Sequence, residues 1–266
     1  MSDLYEQLLL SHNALNPLTE AHLRRLAQAC GVTRATRLLD LACGRGDLLN
    51  SWALWYELNG TGVDADEEVI DNAMHNANDL KVWAQVQYVV SDVLSFPQDF
   101  HQYHIVSHLA MVAHGGNLGG ALASMRPALR DGEAGILLVG EVFWRRTPTP
   151  EACQALGIQA HDLNDLAGVL AHFHALDLDV LELLIPTPEE WDAYHGAEWR
   201  AVQAWLDEHP EHEQAQEVRA EWRARQHAYV SVERDFLAWG AFALAVQGKA
   251  PPPAELEFEW QKPEQS

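Results

Sequence analysis

Asp40 ends the first apolar run of this chain, and Gly44 and Gly46 form the turn that follows it, at a point where a cofactor could be held. The apolar run before them is typical of a strand buried in a parallel sheet, and ligands bind at the carboxyl ends of such strands. Glycine lets the backbone turn sharply and approach a ligand without interference from a Cβ atom. We therefore predict that a nucleotide-like cofactor lies over residues 40–46.

Two further acids follow the next two predicted strands. The second predicted strand, a short one over residues 60–64, ends in Asp64, about twenty residues after the glycine turn, where a carboxylate is suited to bind ribose hydroxyls. The third run, residues 86–90, is followed by Asp92. A simple strand-to-helix turn would account for the glycines but not for three acids at this spacing.

Asp47 and Leu49 favour one cofactor over another. A dinucleotide-binding turn has a third glycine where this chain has Leu49, and Asp47 would repel a pyrophosphate. S-adenosylmethionine has no phosphate and carries a positive sulfonium, so an acidic turn suits it better. The sequence therefore favours S-adenosylmethionine, with a nicotinamide or another nucleotide as the alternative.

These motifs resemble those of the class I S-adenosylmethionine-dependent methyltransferases. Their first motif, an acid followed by x-Gly-x-Gly, matches Asp40 through Gly46, and their ribose-binding and adenine-binding acids match Asp64 and Asp92. The resemblance implies a Rossmann-like α/β fold. The cofactor-binding residues that it implies are Asp40, Ala42, Gly44, Gly46, Asp64, Ala65, Asp92, Val93 and His108.

Composition limits the possible partners. The chain has 39 acidic and 17 basic residues among 266, and its net charge of −22 would repel polyanions. It shows no basic stripe, so we expect no nucleic-acid partner. No apolar run approaches the ~20 residues that span a bilayer, and the start lacks the basic region of a secretory signal. Three scattered cysteines indicate neither a disulfide framework nor a zinc site. We expect a cytoplasmic protein with no membrane partner and no metal.

Strand and helix patterns alternate, as a parallel α/β sheet requires. Asn16 and Pro17 predict the cap and first position of an initial helix that ends at Gly31. Strands are predicted near residues 37–42, 60–64, 85–90, 103–109, 134–140, 177–185 and 236–247, and helices near 46–57, 66–79, 117–129 and 162–174.

Residues 187–230 interrupt this alternation with an almost wholly helical pattern. Thr187 and Glu190 form the signature of a capping box, and His209 followed by proline breaks the first helix. Aromatic residues recur along one face, which usually means packing, while a lid over the substrate is the alternative. We predict a methyltransferase domain over residues 1–186 and 231–250, the helical insertion over 187–230, and a loose tail over 251–266.

Candidate catalytic residues follow the fourth and fifth strands. Methyl transfer requires alignment of nucleophile, methyl carbon and sulfur, and it needs a general base only when the acceptor starts protonated. His114, in the loop after the fourth strand, has an imidazole suited to proton abstraction, although a loop histidine is usually just solvated. Glu141, at the end of the fifth strand, is costly to place there for structure alone. Pairing with Arg145 or Arg146 is the alternative reading of Glu141.

A narrower resemblance covers nearly the whole chain, from about Asn16 to Gln247. Four segments resemble the YjhP-type bacterial methyltransferases: Asn16-Pro17, Gly140-Glu141-x-x-Trp144, Trp191-Asp192-x-Tyr194 with Trp199, and Tyr229 with Arg234, Asp235, Trp239 and Gly240. Val142 replaces a proline of that family, and His108 and His114 depart from its pattern, so these histidines inherit no role. The resemblance implies seven strands in the order 3-2-1-4-5-7-6 with the seventh antiparallel. The substrate-binding residues that we predict are Asn16, Trp144, Trp191, Tyr194 and Tyr229.

We therefore predict an S-adenosylmethionine-dependent methyltransferase that acts on a small-molecule acceptor as a monomer or homodimer. His114 and Glu141 are its candidate catalytic residues. The alternative is a non-catalytic S-adenosylmethionine-binding sensor or partner module, because intact cofactor motifs alone do not exclude it.

Overall fold

A computed structural model describes residues 4–5, 8, 16–93, 96, 101–110, 118–130 and 135–246. These residues form a seven-stranded sheet in the order β3-β2-β1-β4-β5-β7-β6. The strands are β1 (Arg37–Leu41), β2 (Asn59–Asp64), β3 (Val86–Val90), β4 (Ile105–His108), β5 (Ile136–Trp144), β6 (Leu178–Leu184) and β7 (Leu237–Val246). β7 runs antiparallel to β5 and β6, whereas β1 to β5 pair in parallel. The predicted strand order and the antiparallel seventh strand are confirmed.

Helices alternate with these strands along the chain. They are α1 (Glu20–Ala29), α2 (Asp47–Tyr56), α3 (Glu67–Asp79), α4 (Leu118–Met125), α5 (Pro150–Leu156), α6 (Leu166–Ala175), α7 (Pro188–Glu208) and α8 (Ala215–Ala228). A 3-10 turn follows α4 over Arg126–Ala128, and a π-helical turn (Tyr229–Glu233) and a short helix (Arg234–Phe236) lead into β7. No helix in the described ranges combines the length and the apolar character needed to cross a membrane.

The sheet is covered on both faces. Side chains alternate along a strand, so Leu38 and Leu138 pack with α1 and α2 on one face, while Leu39 and Leu137 pack with α4 and α6 on the other. This explains why the central strands read as continuous apolar runs rather than as alternating ones.

The first helix begins later than predicted. Asn16 does not cap it: the Oδ1 atom of Asn16 accepts a hydrogen bond from the backbone N–H of Leu18 in a local turn. Thr19 is the cap, because its hydroxyl accepts from the N–H of His22 and the ring of His22 accepts from the N–H of Thr19. The sequence pattern did not predict Thr19 as the cap, because the capping-box signature has Glu or Gln, not His, at its third position. It also missed helix α5.

The insertion between β6 and β7 has a small core of its own. Val202 and Leu206 of α7 pack with Val218 of α8 and with Tyr5 from the N-terminal region. The predicted capping box of α7 is observed, and the predicted break at His209 ends that helix. The second helix of the insertion, α8, begins at Ala215. The tail predicted over residues 251–266 lies outside the described residues.

Candidate functional site

The turn between β1 and α2 has three residues with left-handed backbone angles. Their φ values are 50° at Ala42, 55° at Gly44 and 76° at Gly46. Gly46 also lies close to Tyr88 of β3, since a Cβ atom built on Gly46 would be 2.1 Å from the phenolic oxygen. A side chain at position 46 would therefore meet both backbone strain and a clash.

Asp64, the last residue of β2, is joined to this turn. Its Oδ2 atom accepts a hydrogen bond of 2.9 Å from the N–H of Gly44, and its Oδ1 atom accepts one of 3.2 Å from the N–H of Asp66. These bonds hold the carboxylate at the carboxyl edge of the sheet, beside the backbone of the glycine turn.

Asp40 is buried beneath the same turn. The hydroxyl of Ser107, on the neighbouring strand β4, donates to its Oδ1 atom over 2.6 Å. Burial raises the pKa of Asp40 to about 7, an effect that the Ser107 hydrogen bond opposes and the charge of Asp64 reinforces. Sequence reasoning missed Ser107 as a partner. Its only signal was a polar residue inside an otherwise apolar strand.

The other predicted cofactor residues lie at the same edge. Ala65 follows β2, Asp92 and buried Val93 follow β3, and buried His108 ends β4. The pairing of Asp40 with Ser107 and of Asp64 with Val90 aligns these strand ends. His114, the predicted base in the loop after β4, lies outside the described residues.

This set of carboxylates suits S-adenosylmethionine. Carboxylates accept hydrogen bonds from ribose hydroxyls and from an adenine amine, and they attract a sulfonium. Asp47 lies at the start of α2, where its carboxylate would oppose the binding of a phosphate. Burial raises the pKa of this carboxyl group. Gly44 and Gly46, which have left-handed φ angles, place no side chain in the space over the turn.

A cavity of about 130 Å³ lies between the sheet edge and the insertion. Val142 of β5 and Trp239 of β7 form its floor, and Asn16 and Pro17 contribute from the N-terminal side. Pro188, Leu237 and Ala238 also line it. The rest of the lining is aromatic rings and charged side chains: Trp191, Tyr194, His195, Tyr229, Arg145, Glu198, Arg225, Glu233 and Arg234.

Four of the five predicted acceptor-binding residues line this cavity, namely Asn16, Trp191, Tyr194 and Tyr229. Trp144 is not among the lining residues. It is buried, and its indole N–H donates to the carbonyl of Ala160 over 2.9 Å.

Trp239 connects the cavity to the cofactor edge. Its indole lies over Gly140, where a Cβ atom would be 2.6 Å from the ring and 2.7 Å from the carbonyl oxygen of Leu109. Leu109 directly follows His108, one of the predicted cofactor residues. The cavity therefore adjoins the end of β4.

Glu141 is partly buried, and among the described residues none hydrogen-bonds to its Oε2 atom. Burial raises the pKa of its carboxyl group to about 7. The alternative pairing with arginine is not observed, because Arg145 donates to the carbonyl of Leu237 and Arg146 pairs with Asp235 over 2.9 Å. Strand alternation places Glu141 on the opposite face of the sheet from Val142 and Trp239.

Sequence reasoning missed the charged network of the insertion. Asp192 accepts two hydrogen bonds from Arg234 and one from the hydroxyl of Tyr229, and these contacts lower its pKa to about 2. His195 lies 2.7 Å from Glu198, an i,i+3 spacing that was visible in the sequence. The π-helical turn that carries Tyr229 had no sequence signal, although such turns are frequent at functional sites.

Comparisons with known proteins agree with these observations. Residues 38–132 match the family model described as a methyltransferase domain. The chain is 32% identical to the uncharacterised protein YjhP of Escherichia coli over 235 residues, which cover 88% of this chain and 94% of YjhP.

Two crystal structures of S-adenosylmethionine-dependent methyltransferases in complex with S-adenosyl-L-homocysteine are similar to the structure of this chain. The Geobacter sulfurreducens structure is 31% identical with a TM-score of 0.84, covering 91% of this chain and 98% of that one. The Thiobacillus denitrificans structure is 30% identical with a TM-score of 0.84, covering 93% and 99%.

Proposed function

Since this chain belongs to the family of S-adenosylmethionine-dependent methyltransferases that includes YjhP, we propose that its methyl acceptor is a small molecule. The acceptor binds in the cavity between the sheet edge and the insertion. Bound S-adenosylmethionine supplies an electrophilic methyl group, and the residues of the chain bind, orient and enclose the two substrates.

The observation that carries this proposal is the cavity itself. On the same measure a site for one water takes roughly 10–15 Å³, so 130 Å³ has room for on the order of ten water-sized atoms. Its walls come from the N-terminal region, the sheet and the insertion, an enclosure that suits a compact ligand better than a polymer.

For the cofactor we propose that Asp64 binds the ribose and Asp92 the adenine amine. Asp40, Ala42, Gly44 and Gly46 form the methionine end of the site, and Ala65, Val93 and His108 complete it. The hydrogen bond from Gly44 to Asp64 supports the assignment. It holds a carboxylate beside the glycine turn, where the bound nucleoside would lie.

We also propose a catalytic role for Glu141. A carboxyl group with a pKa of about 7 exchanges protons near neutral pH, and its Oε2 atom, which receives no hydrogen bond from the part of the chain that the structure describes, can bind a ligand group. Because Glu141 lies on the opposite face of the sheet from Val142 and Trp239, this role requires the reacting group of the acceptor to extend beyond the cavity, past the carboxyl end of β5. His114 remains a second candidate, on the sequence argument alone.

The acceptor class is tested with methyl-labelled S-adenosylmethionine and a cell extract separated by dialysis. We expect label in the dialysable fraction. Label that enters only the retained proteins or nucleic acids would overturn the proposal, and a wild-type enzyme that labels neither fraction would contradict it as well.

Asp64→Ala tests the cofactor site. We expect about tenfold weaker binding of S-adenosyl-L-homocysteine in calorimetry, equivalent to about 1.4 kcal/mol. Asp71→Ala is the matched control, because Asp71 is an exposed aspartate on α3, away from the turn. Equal affinity in the two variants would remove Asp64 from the site.

A further inference from the structure

His195 and Glu198 form a close pair inside the acceptor cavity. The Nδ1 atom of His195 lies 2.7 Å from the Oε2 atom of Glu198, and both side chains are largely buried, with 11% and 15% of their surface exposed. An ionised carboxylate can only accept a hydrogen bond, so Nδ1 carries a proton, and in the neutral imidazole Nε2 then keeps its lone pair. Within the described ranges no residue hydrogen-bonds to Nε2.

Aromatic rings surround this imidazole. Its centroid is 4.1 Å from the ring of Tyr229 and 5.6 Å from the ring of Trp191, which is stacked at 22°. Both of these rings line the cavity as well. A planar ligand would stack against or meet the edges of such rings, at distances that aromatic pairs prefer.

The charges in and around the cavity balance when His195 is neutral. Asp192 is paired with Arg234 and Glu233 with Arg225, and the remaining carboxylate of Glu198 is matched in number by Arg145. In the described part of the chain the guanidinium of Arg145 donates to a carbonyl and makes no ion pair. This guanidinium can therefore stabilise a developing oxyanion on the acceptor.

We propose that His195 is the general base for a planar acceptor with an ionisable hydroxyl group, such as a phenol. Glu198 is the positioning residue that fixes the tautomer and the orientation of the imidazole. This inference rests on the proposed function, since it names the substrate class of the same cavity.

In the methyl-transfer step, the Nε2 lone pair of His195 takes the hydroxyl proton of the acceptor, and the electron pair of the broken O–H bond stays on oxygen. An oxygen lone pair forms the new O–C bond to the methyl carbon, while sulfur keeps the pair of the broken C–S bond. The products are a methyl ether, S-adenosyl-L-homocysteine and an imidazolium, which releases its proton to solvent.

Several charged or ionisable groups face His195. Glu198 and Asp192 lie on the same helix, Arg225 on α8, Tyr229 and Glu233 on the π-helical turn, and Tyr5 in the N-terminal region. Glu198 is the nearest of them, and it is the group that holds the Nδ1 side of the ring.

The test uses 4-nitrophenol as the probe, because its phenolate absorbs visible light and the phenol does not. The probe is bound to the full chain with S-adenosyl-L-homocysteine, at about one pH unit below its own pKa, where about a tenth of it is ionised in solution. We expect an ionised fraction about five times larger for the bound probe. His195→Gln should return this fraction to the solution value, and Glu198→Gln should lower it while the probe stays bound.

Two further variants make the result specific. His209→Gln changes an exposed histidine at the end of the same helix and should leave the bound probe ionised. Glu141→Gln tests the rival base, and loss of probe ionisation in that variant alone would overturn the proposal. S-adenosyl-L-homocysteine affinity reports that each variant is folded.

Failure of the probe to bind the wild type, or equal ionisation in wild type and His195→Gln, would also overturn it. Label transfer to the dialysable fraction is measured separately. If the wild type labels that fraction but does not ionise the probe, the small-molecule function stands and the base assignment fails.

Discussion

At the scale of single residues, Gly46 occupies the position where the backbone angle and the neighbouring atoms most clearly require glycine. Gly46 and Gly31 share left-handed φ angles of 76° and 61°, but a Cβ atom on Gly31 would meet nothing within 4 Å. The two positions therefore separate backbone strain from steric exclusion.

We predict that Gly31→Ala lowers the free energy of unfolding by about 1–2 kcal/mol, the cost of the left-handed backbone alone. Gly46→Ala should cost a further 1–3 kcal/mol or so, because Tyr88 and α2 must shift. Urea unfolding of both variants measures the difference. If both lose the same stability, Tyr88 does not lie over Gly46 as described.

Glu141 gives a prediction about pH. Its pKa rises from 4.5 to about 7 on folding, so the folded protein favours the protonated form. The resulting stability is present below the unfolded pKa and is lost as the pH rises through about 7. The loss amounts to at most about 3 kcal/mol.

Replacement of Glu141 by Gln removes the ionisable group. We expect the melting temperature of Glu141→Gln, relative to wild type, to be higher at about pH 8 than at about pH 5. Thermal unfolding at the two pH values measures this. A constant difference would mean that the carboxyl group is well solvated and that its pKa is ordinary.

At the scale of elements, the start of α7 governs how the insertion leaves the sheet. The hydroxyl of Thr187 accepts from the N–H of Glu190, whose carboxylate in turn accepts from the N–H of Thr187. The same Glu190 lies 3.3 Å from His22 of α1, so the capping box also contacts the first helix.

We predict that Thr187→Ala lowers the free energy of unfolding by about 1 kcal/mol, because it leaves a helix N–H without its cap. Thr187→Ser keeps the hydroxyl and should lose no more than a few tenths of a kcal/mol. Chemical denaturation compares the two. Equal losses would show that the methyl group of Thr187, not its hydroxyl, stabilises the helix.

At the scale of the whole molecule, the negative net charge opposes the approach of polyanions. With a net charge of −22, the protein repels phosphate backbones, and this repulsion is strongest at low salt. We predict no retention of tRNA or duplex DNA in filter binding at low ionic strength, where a nucleic-acid-binding protein would bind best. Measurable binding that falls steeply with salt would contradict this expectation.

The sequence by itself determined the fold and the cofactor edge. Apolar runs and the acids that end them are local patterns, and parallel strands bring their carboxyl ends to one edge whatever the loops do. Asp40, Gly44, Gly46 and Asp64 could therefore be predicted to lie together. The capping box of α7 was equally local.

Only the tertiary structure showed the cavity that we propose for the acceptor. His195 and Glu198 are three residues apart, but whether such a pair faces solvent or a cavity depends on Trp239 and Tyr229, which arrive from distant parts of the chain. Ser107 meets Asp40 only through strand pairing, and the unpartnered state of Glu141 depends on neighbours that no local pattern specifies. Burial and charge pairing are properties of the packed chain, so sequence spacing could suggest these residues but could not assign their surroundings.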